Sequence, residues 1–163
     1  MRTIVLLLAL TLATTASAAA SAPAADHSVG IVRVLHGWRE TASFKHIGEY
    51  FDGREHTGGE VVLRTHADQR AGYYFLVRLA NPGAERTVRI HLLVIDPESA
   101  TPHEFNFPAG LPGRETIFNL GLTGADWAGA KINPVAWKLE ILDPAGRLLA
   151  TEQSYLWEKP AGS

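Results

Sequence analysis

Gly72-Tyr-Tyr-Phe-Leu-Val-Arg-Leu-Ala-Asn-Pro-Gly-Ala-Glu-Arg-Thr-Val-Arg-Ile-His-Leu-Leu-Val-Ile-Asp-Pro97 is the stretch whose reading decides the fold. Two apolar runs flank Asn81-Pro82-Gly83-Ala84. Pro82 presets φ at the second position of a turn, and Gly83 can supply the positive φ that a type II turn requires at the third. In the first run Tyr73, Phe75, Val77 and Leu79 alternate onto one face; in the second Val88, Ile90, Leu92 and Val94 do, with Arg89 and His91 opposite. Period-two alternation of aromatic and β-branched residues is the signature of half-buried strands. The stretch therefore predicts an antiparallel pair in the middle of one sheet.

Outward from this pair the pattern repeats. Val29 to Trp38 alternates, with Val32, Val34 and Trp38 opposed to Arg33 and Gly37, and Glu60 to His66 reads as a strand. Phe105 and Phe107 flank Asn106 ahead of Pro108, as in an edge strand where proline is tolerated. Glu115 to Leu120 follows the turn Leu111-Pro112-Gly113-Arg114, and Leu122 to Ala130 holds one helical turn. Val135, Trp137, Leu139 and Ile141 then alternate up to Asp143-Pro144-Ala145-Gly146, whose residue types suit a type I turn, and Arg147 to Trp157 returns. Residues 39–59 are polar and glycine-punctuated, with a short strand at Gly48 to Phe51. Seven to nine short strands with turns every ~8–12 residues and no long helical period predict an all-β antiparallel sandwich, with a small β-barrel as the alternative. Trp137 is the expected central packing residue.

Residues 134–149, Pro134-Val-Ala-Trp-Lys-Leu-Glu-Ile-Leu-Asp-Pro-Ala-Gly-Arg-Leu-Leu149, resemble the closing hairpin of bacterial exported immunoglobulin-like domains, P-x-x-W-x-x-E-x-x-D-x-x-G-x-x-L. The likeness extends over residues 72–157. It implies an immunoglobulin-like sandwich. It implies no activity and carries no functional residues, because fold does not fix function.

Composition bounds the rest. Met1-Arg2, the apolar run Ile4 to Leu12 and Ala16-Ser17-Ala18 have the three-part form of a secretory signal peptide cleaved after Ala18. The apolar run is too short to span a bilayer. Residues 19–28 read as a disordered lead-in, 29–158 as one domain and 159–163 as a tail. The chain has no cysteine, which excludes disulfides, thiolate metal sites and cysteine catalysis. Without the leader, 14 basic residues stand against 17 acidic ones, a balance that draws neither nucleic acid nor anionic lipid. None of Asn81, Asn106, Asn119 and Asn133 opens an Asn-x-Ser/Thr acceptor, so a bacterial periplasmic or extracellular setting is expected.

There is no Gly-x-Ser-x-Gly, no phosphate loop and no zincin pair, since Phe105-Asn106-Phe107 follows His103-Glu104. The chain is thus expected to be non-enzymatic and without cofactor. Of its seven histidines, His36, His46, His56 and His66 recur every ten residues, but no two histidines stand at i, i+2 or i, i+4. No metal is expected; were one held, these four would be its ligands. Among the aromatics, Trp127 and Trp157 are the candidates for a partner surface. The expected function is a structural or protein-interaction module engaging another exported protein. The alternative is a module binding carbohydrate or a metal ion through loops at one end. The first strand, free of proline and poor in charge, is the expected pairing edge.

Overall fold

The computed structural model describes residues 29–44, 57–127 and 129–158. The leader, the lead-in, Gly48 to Phe51, His46, His56 and the tail lie outside the described residues. Among the described residues, eight strands form two sheets: β1 (Gly30–Arg39), β2 (Val61–Arg64), β3 (Gly72–Ala80), β4 (Arg86–Ile95), β5 (His103–Leu111), β6 (Thr116–Thr123), β7 (Ala136–Leu142) and β8 (Leu148–Gln153). One sheet runs β1-β3-β6-β2, the other β5-β4-β7-β8. All pairings are antiparallel except β2 with β6. Both sheets are open, so the barrel alternative does not form.

The central stretch is not a hairpin. Its two runs fall in different sheets: β3 pairs with β1 and β6, whereas β4 pairs with β5 and β7. Their apolar faces explain why. Paired in one sheet, Tyr73, Phe75, Val77 and Leu79 would share a face with Val88, Ile90, Leu92 and Val94, and other strands would have to cover both. Placed in opposite sheets, the two faces bury each other, and all eight side chains lie in the core. β6 and β7 add Phe118, Leu120, Leu122, Trp137, Leu139 and Ile141 to the same core; Trp137 is buried as expected but, as the second residue of β7, lies at the end of the core and not at its centre.

The link between β3 and β4 is built differently from a type II turn. Gly83 is not among the glycines with positive φ. Instead Asn81, buried at 1% exposure, organises the crossing. Its Oδ1 accepts from the Gly83 N–H (3.2 Å) while its Nδ2 donates to the carbonyls of Ala84 (2.9 Å), Pro112 (3.1 Å) and Leu111 (3.3 Å). The closing hairpin forms as expected. Gly146 takes φ +82° after a turn in which its N–H donates to the Asp143 carbonyl, and a register shift follows at Ile141/Leu142.

Two further details depart from the alternation. A bulge between Ile31 and Arg33 takes Val32 out of phase, so Ile31 and Val34 pack on the core while Val32 is 50% exposed. The return strand stops at Gln153, and Tyr155–Glu158 forms a single helical turn, α1. Its first turn is anchored by Ser154, whose N–H reaches the Trp137 carbonyl and whose hydroxyl accepts from the Trp137 N–H. β5 is an edge strand, as Pro108 requires, and β1 is the edge of the other sheet.

Candidate functional site

The two ends of the sandwich differ. At one end three links are tight: residues 81–85, 112–115 and 143–147. At the other lie the longer links 65–71, 96–102 and 124–135, the start of the 40–60 connection, and α1. All four tryptophans gather at this long-loop end. Trp38 stands opposite Tyr73 at the start of β3, Trp127 follows β6, Trp137 opens β7 opposite Val94, and Trp157 lies in α1.

Between these loops is a cleft of about 310 Å³ lined by Asp96, Glu98, His103, Glu104 and Asp126 around Trp127. The β4–β5 loop builds one wall. Asp96 Oδ1 accepts from the backbone N–H groups of Glu98 and Ser99 at 2.8 Å each, and Oδ2 meets His103 Nε2 at 3.0 Å. Burial pushes the Asp96 carboxyl upward, but these two N–H donors and His103 outweigh it and hold it below the usual carboxylate range. The short 3-10 turn Gly124–Asp126 supplies the facing wall, with Asp126 Oδ2 at 3.2 Å from His66 Nε2. Four carboxylates with one imidazole give the cleft a negative character, suited to a cationic or hydroxyl-rich ligand.

Beneath it is an aromatic cluster. Trp127 stacks on Tyr73 with ring centroids 4.8 Å apart, and its indole N–H donates to the Ile132 carbonyl (3.1 Å). At 7% exposure Trp127 is a core residue, and its ring closes the cleft floor instead of forming a platform; the sequence could not show that Ile132 would take its N–H. Trp157 is half-buried in α1. On the other side of Tyr73, His36 Nδ1 lies 2.8 Å from the phenol oxygen, and the imidazole sits near the Phe75 and Trp137 rings at 5.4 and 5.9 Å. Burial lowers the His36 pKa and raises that of Tyr73, so at neutral pH the pair is a neutral imidazole beside a neutral phenol.

The chain matches no family model, no curated protein and no solved structure. The site therefore has to be read from its own geometry. The structure separates the predicted histidine set. His36 contacts Tyr73, Phe75 and Trp137, whereas His66 pairs with Asp126, and His46 and His56 lie outside the described residues. Among the described residues, no three His, Asp or Glu side chains group as a metal ion would need. Sequence reasoning placed His91 opposite the apolar face but gave it no partner; on that outer face it meets Glu140 at 3.1 Å and Glu104 at 3.5 Å. His91 and Glu140 are cross-strand partners, and Lys138 reaches Glu140 at 2.6 Å, so this is a ladder of paired charges along the sheet. It also passed over the Asp96–His103 pair, although Asp96-Pro97 and His103-Glu104 mark its two anchors in the sequence.

Proposed function

We propose that this chain is an exported, non-enzymatic immunoglobulin-like module that holds another exported protein through its long-loop end. The strand order supports the immunoglobulin-like part. β1-β3-β6 facing β5-β4-β7-β8 follows the A-B-E and C′-C-F-G arrangement of such sandwiches, with β2 added parallel beyond β6. It departs from the antibody pattern in lacking the inter-sheet disulfide and in carrying its core Trp137 on the seventh strand. The secretory form of the leader supports export.

One observation carries the recognition role: three of the longer links, the tryptophans and the acid-lined cleft share one end, while the tight links 81–85, 112–115 and 143–147 lie at the other. Loops held on a rigid sandwich are where such folds place recognition. The cleft's carboxylates favour a partner that presents a basic segment. Cross-linking capture from a periplasmic extract tests this with two variants. Asp96→Asn combined with Glu104→Gln should lose the captured partner, and Asp143→Ala at the opposite hairpin tip should keep it. Loss with Asp143→Ala, or retention with the double variant, would overturn the assignment of the end. A carbohydrate in the same cleft is the second reading, favoured by carboxylates arrayed around Trp127; it would raise the Tm when the sugar is added, by mass action.

A further inference from the structure

The sandwich has four sheet edges, and three are defended. β2 is four residues long. β5 carries Pro108 and the charged His103-Glu104 pair. β8 is six residues long and carries Glu152 and Gln153 near its end. Short edges, prolines and charges are the usual means of preventing strand addition. β1 differs. It has ten residues, contains no proline, and exposes Val32 at 50% and Leu35 at 48%. After the bulge at Ile31/Arg33 it pairs with β3 in unbroken register from Arg33 to Arg39. Among the described residues, no backbone hydrogen bond joins its outer edge to another segment. Of its two cations, Arg39 is drawn back onto its own molecule, with its guanidinium 5.6 Å from the Phe44 ring centroid.

We propose that β1 pairs antiparallel with β1 of a second copy, joining two sheets into one of eight strands, with Leu35 on the two-fold axis. The occupant is argued from the register that the side chains allow. In a two-fold antiparallel pair each residue faces one on the same side of the sheet, so the axis must pass through a residue. An axis at His36 would set Arg33 against Arg39, a like-charge opposition repeated twice. An axis at Gly37 would leave Gly37 facing itself and Leu35 against Arg39. An axis at Val34 would draw the bulged Val32 into the ladder. With the axis at Leu35, the exposed leucine meets its own copy, Arg33 faces the side-chain-free Gly37, and the regularly paired segment Arg33 to Gly37 is engaged throughout. This edge is separate from the long-loop cleft, so the inference does not rest on the recognition role above.

Sedimentation equilibrium on the full chain tests it, with circular dichroism confirming that each variant is folded. The wild type should show a monomer–dimer equilibrium. Leu35→Glu and Leu35→Lys should each be monomeric, because like charges would meet on the axis, and their equimolar mixture should recover the dimer. Thr151→Glu on the exposed β8 should leave the wild-type equilibrium unchanged. As a readout without substitution, amide exchange in β1 of the wild type should slow as protein concentration rises. The proposal is overturned by a wild type that stays monomeric at its highest soluble concentration, by a dimer that survives Leu35→Glu, or by a mixture that remains monomeric. Loss of the dimer on Thr151→Glu, or β1 exchange independent of concentration, would overturn it as well.

Discussion

Asn81 offers the sharpest test of how the two sheets are joined. Its buried amide links the β3–β4 crossing to the β5–β6 turn by donating to Ala84, Leu111 and Pro112 while accepting from Gly83. Two N–H hydrogens serve three carbonyls, so two to three effective hydrogen bonds are at stake, each worth about 1 kcal/mol net. Asn81→Ala should therefore lower stability by about 2–3 kcal/mol, about 8 °C in Tm for a domain of this size. Asn81→Asp separates this account from a simple loss of packing. Aspartate matches asparagine in shape and keeps the acceptor for Gly83, but it turns an anion toward three carbonyl oxygens. At neutral pH its cost should exceed that of the alanine variant, reaching about 4 kcal/mol. Burial against acceptors raises that carboxyl's pKa in the folded state, so the folded protein binds the extra proton more readily than the unfolded chain. The deficit should therefore shrink as pH falls from 7 toward 4. Urea unfolding followed by tryptophan fluorescence at both pH values measures all three proteins. An Asn81→Asp variant as stable as Asn81→Ala at neutral pH would refute the reasoning.

Two further perturbations test other parts of the structure. A Cβ at Gly121 would meet the Tyr74 ring at 2.6 and 2.7 Å, and that ring is held by Arg64 and the Arg70 carbonyl and packed on Phe44, so Gly121→Ala should cost about 1–3 kcal/mol, read as a lower urea midpoint. Burial raises the Glu152 pKa, so the folded state disfavours the carboxylate and the wild type loses stability as pH rises from the ordinary carboxyl range through the raised value; Glu152→Gln should melt higher than wild type at pH 7 and equal to it at about pH 3–4, and a gap that persists in acid would be contrary to this.

What could be read from the sequence was whatever is local. The β7–β8 hairpin was legible because Asp143, Pro144 and Gly146 are adjacent and the flanking alternation is uninterrupted. The same alternation told which face of β3 and β4 is buried, but not which layer each strand joins, since a residue facing a partner in its own sheet and one facing across the sandwich look alike in one dimension. Asn81 was visible only as a turn residue; its role depends on Leu111 and Pro112, thirty residues away. Val32 misled because a bulge inserts one residue and shifts the phase without any sequence mark. The cleft was illegible for a related reason: Asp96, His103 and Asp126 line one cleft only because β4 and β6 end, and β5 begins, at one side of the molecule.

That convergence also explains why the two ends differ. Links 81–85, 112–115 and 143–147 each join strands by the shortest path, and their side chains are consumed in holding it: Asn81 in its crossing and Asp143 in accepting from Ala145 and Arg147. In 96–102 Asp96 is consumed in the same way, accepting from the Glu98 and Ser99 N–H groups, but rim residues of the cleft such as Glu104 stand above a core that Trp127, Tyr73 and Trp137 already close. Rim side chains above such a floor can change at little cost to the fold, which is the physical condition for a recognition surface. A charge reversal such as Glu104→Lys, at a largely exposed position on the cleft rim, should then alter what the cleft attracts while leaving the urea midpoint near wild type. An Asp143 substitution should do the opposite, lowering stability with no effect on capture; if both variants moved stability alike, the division of labour between the two ends would fail.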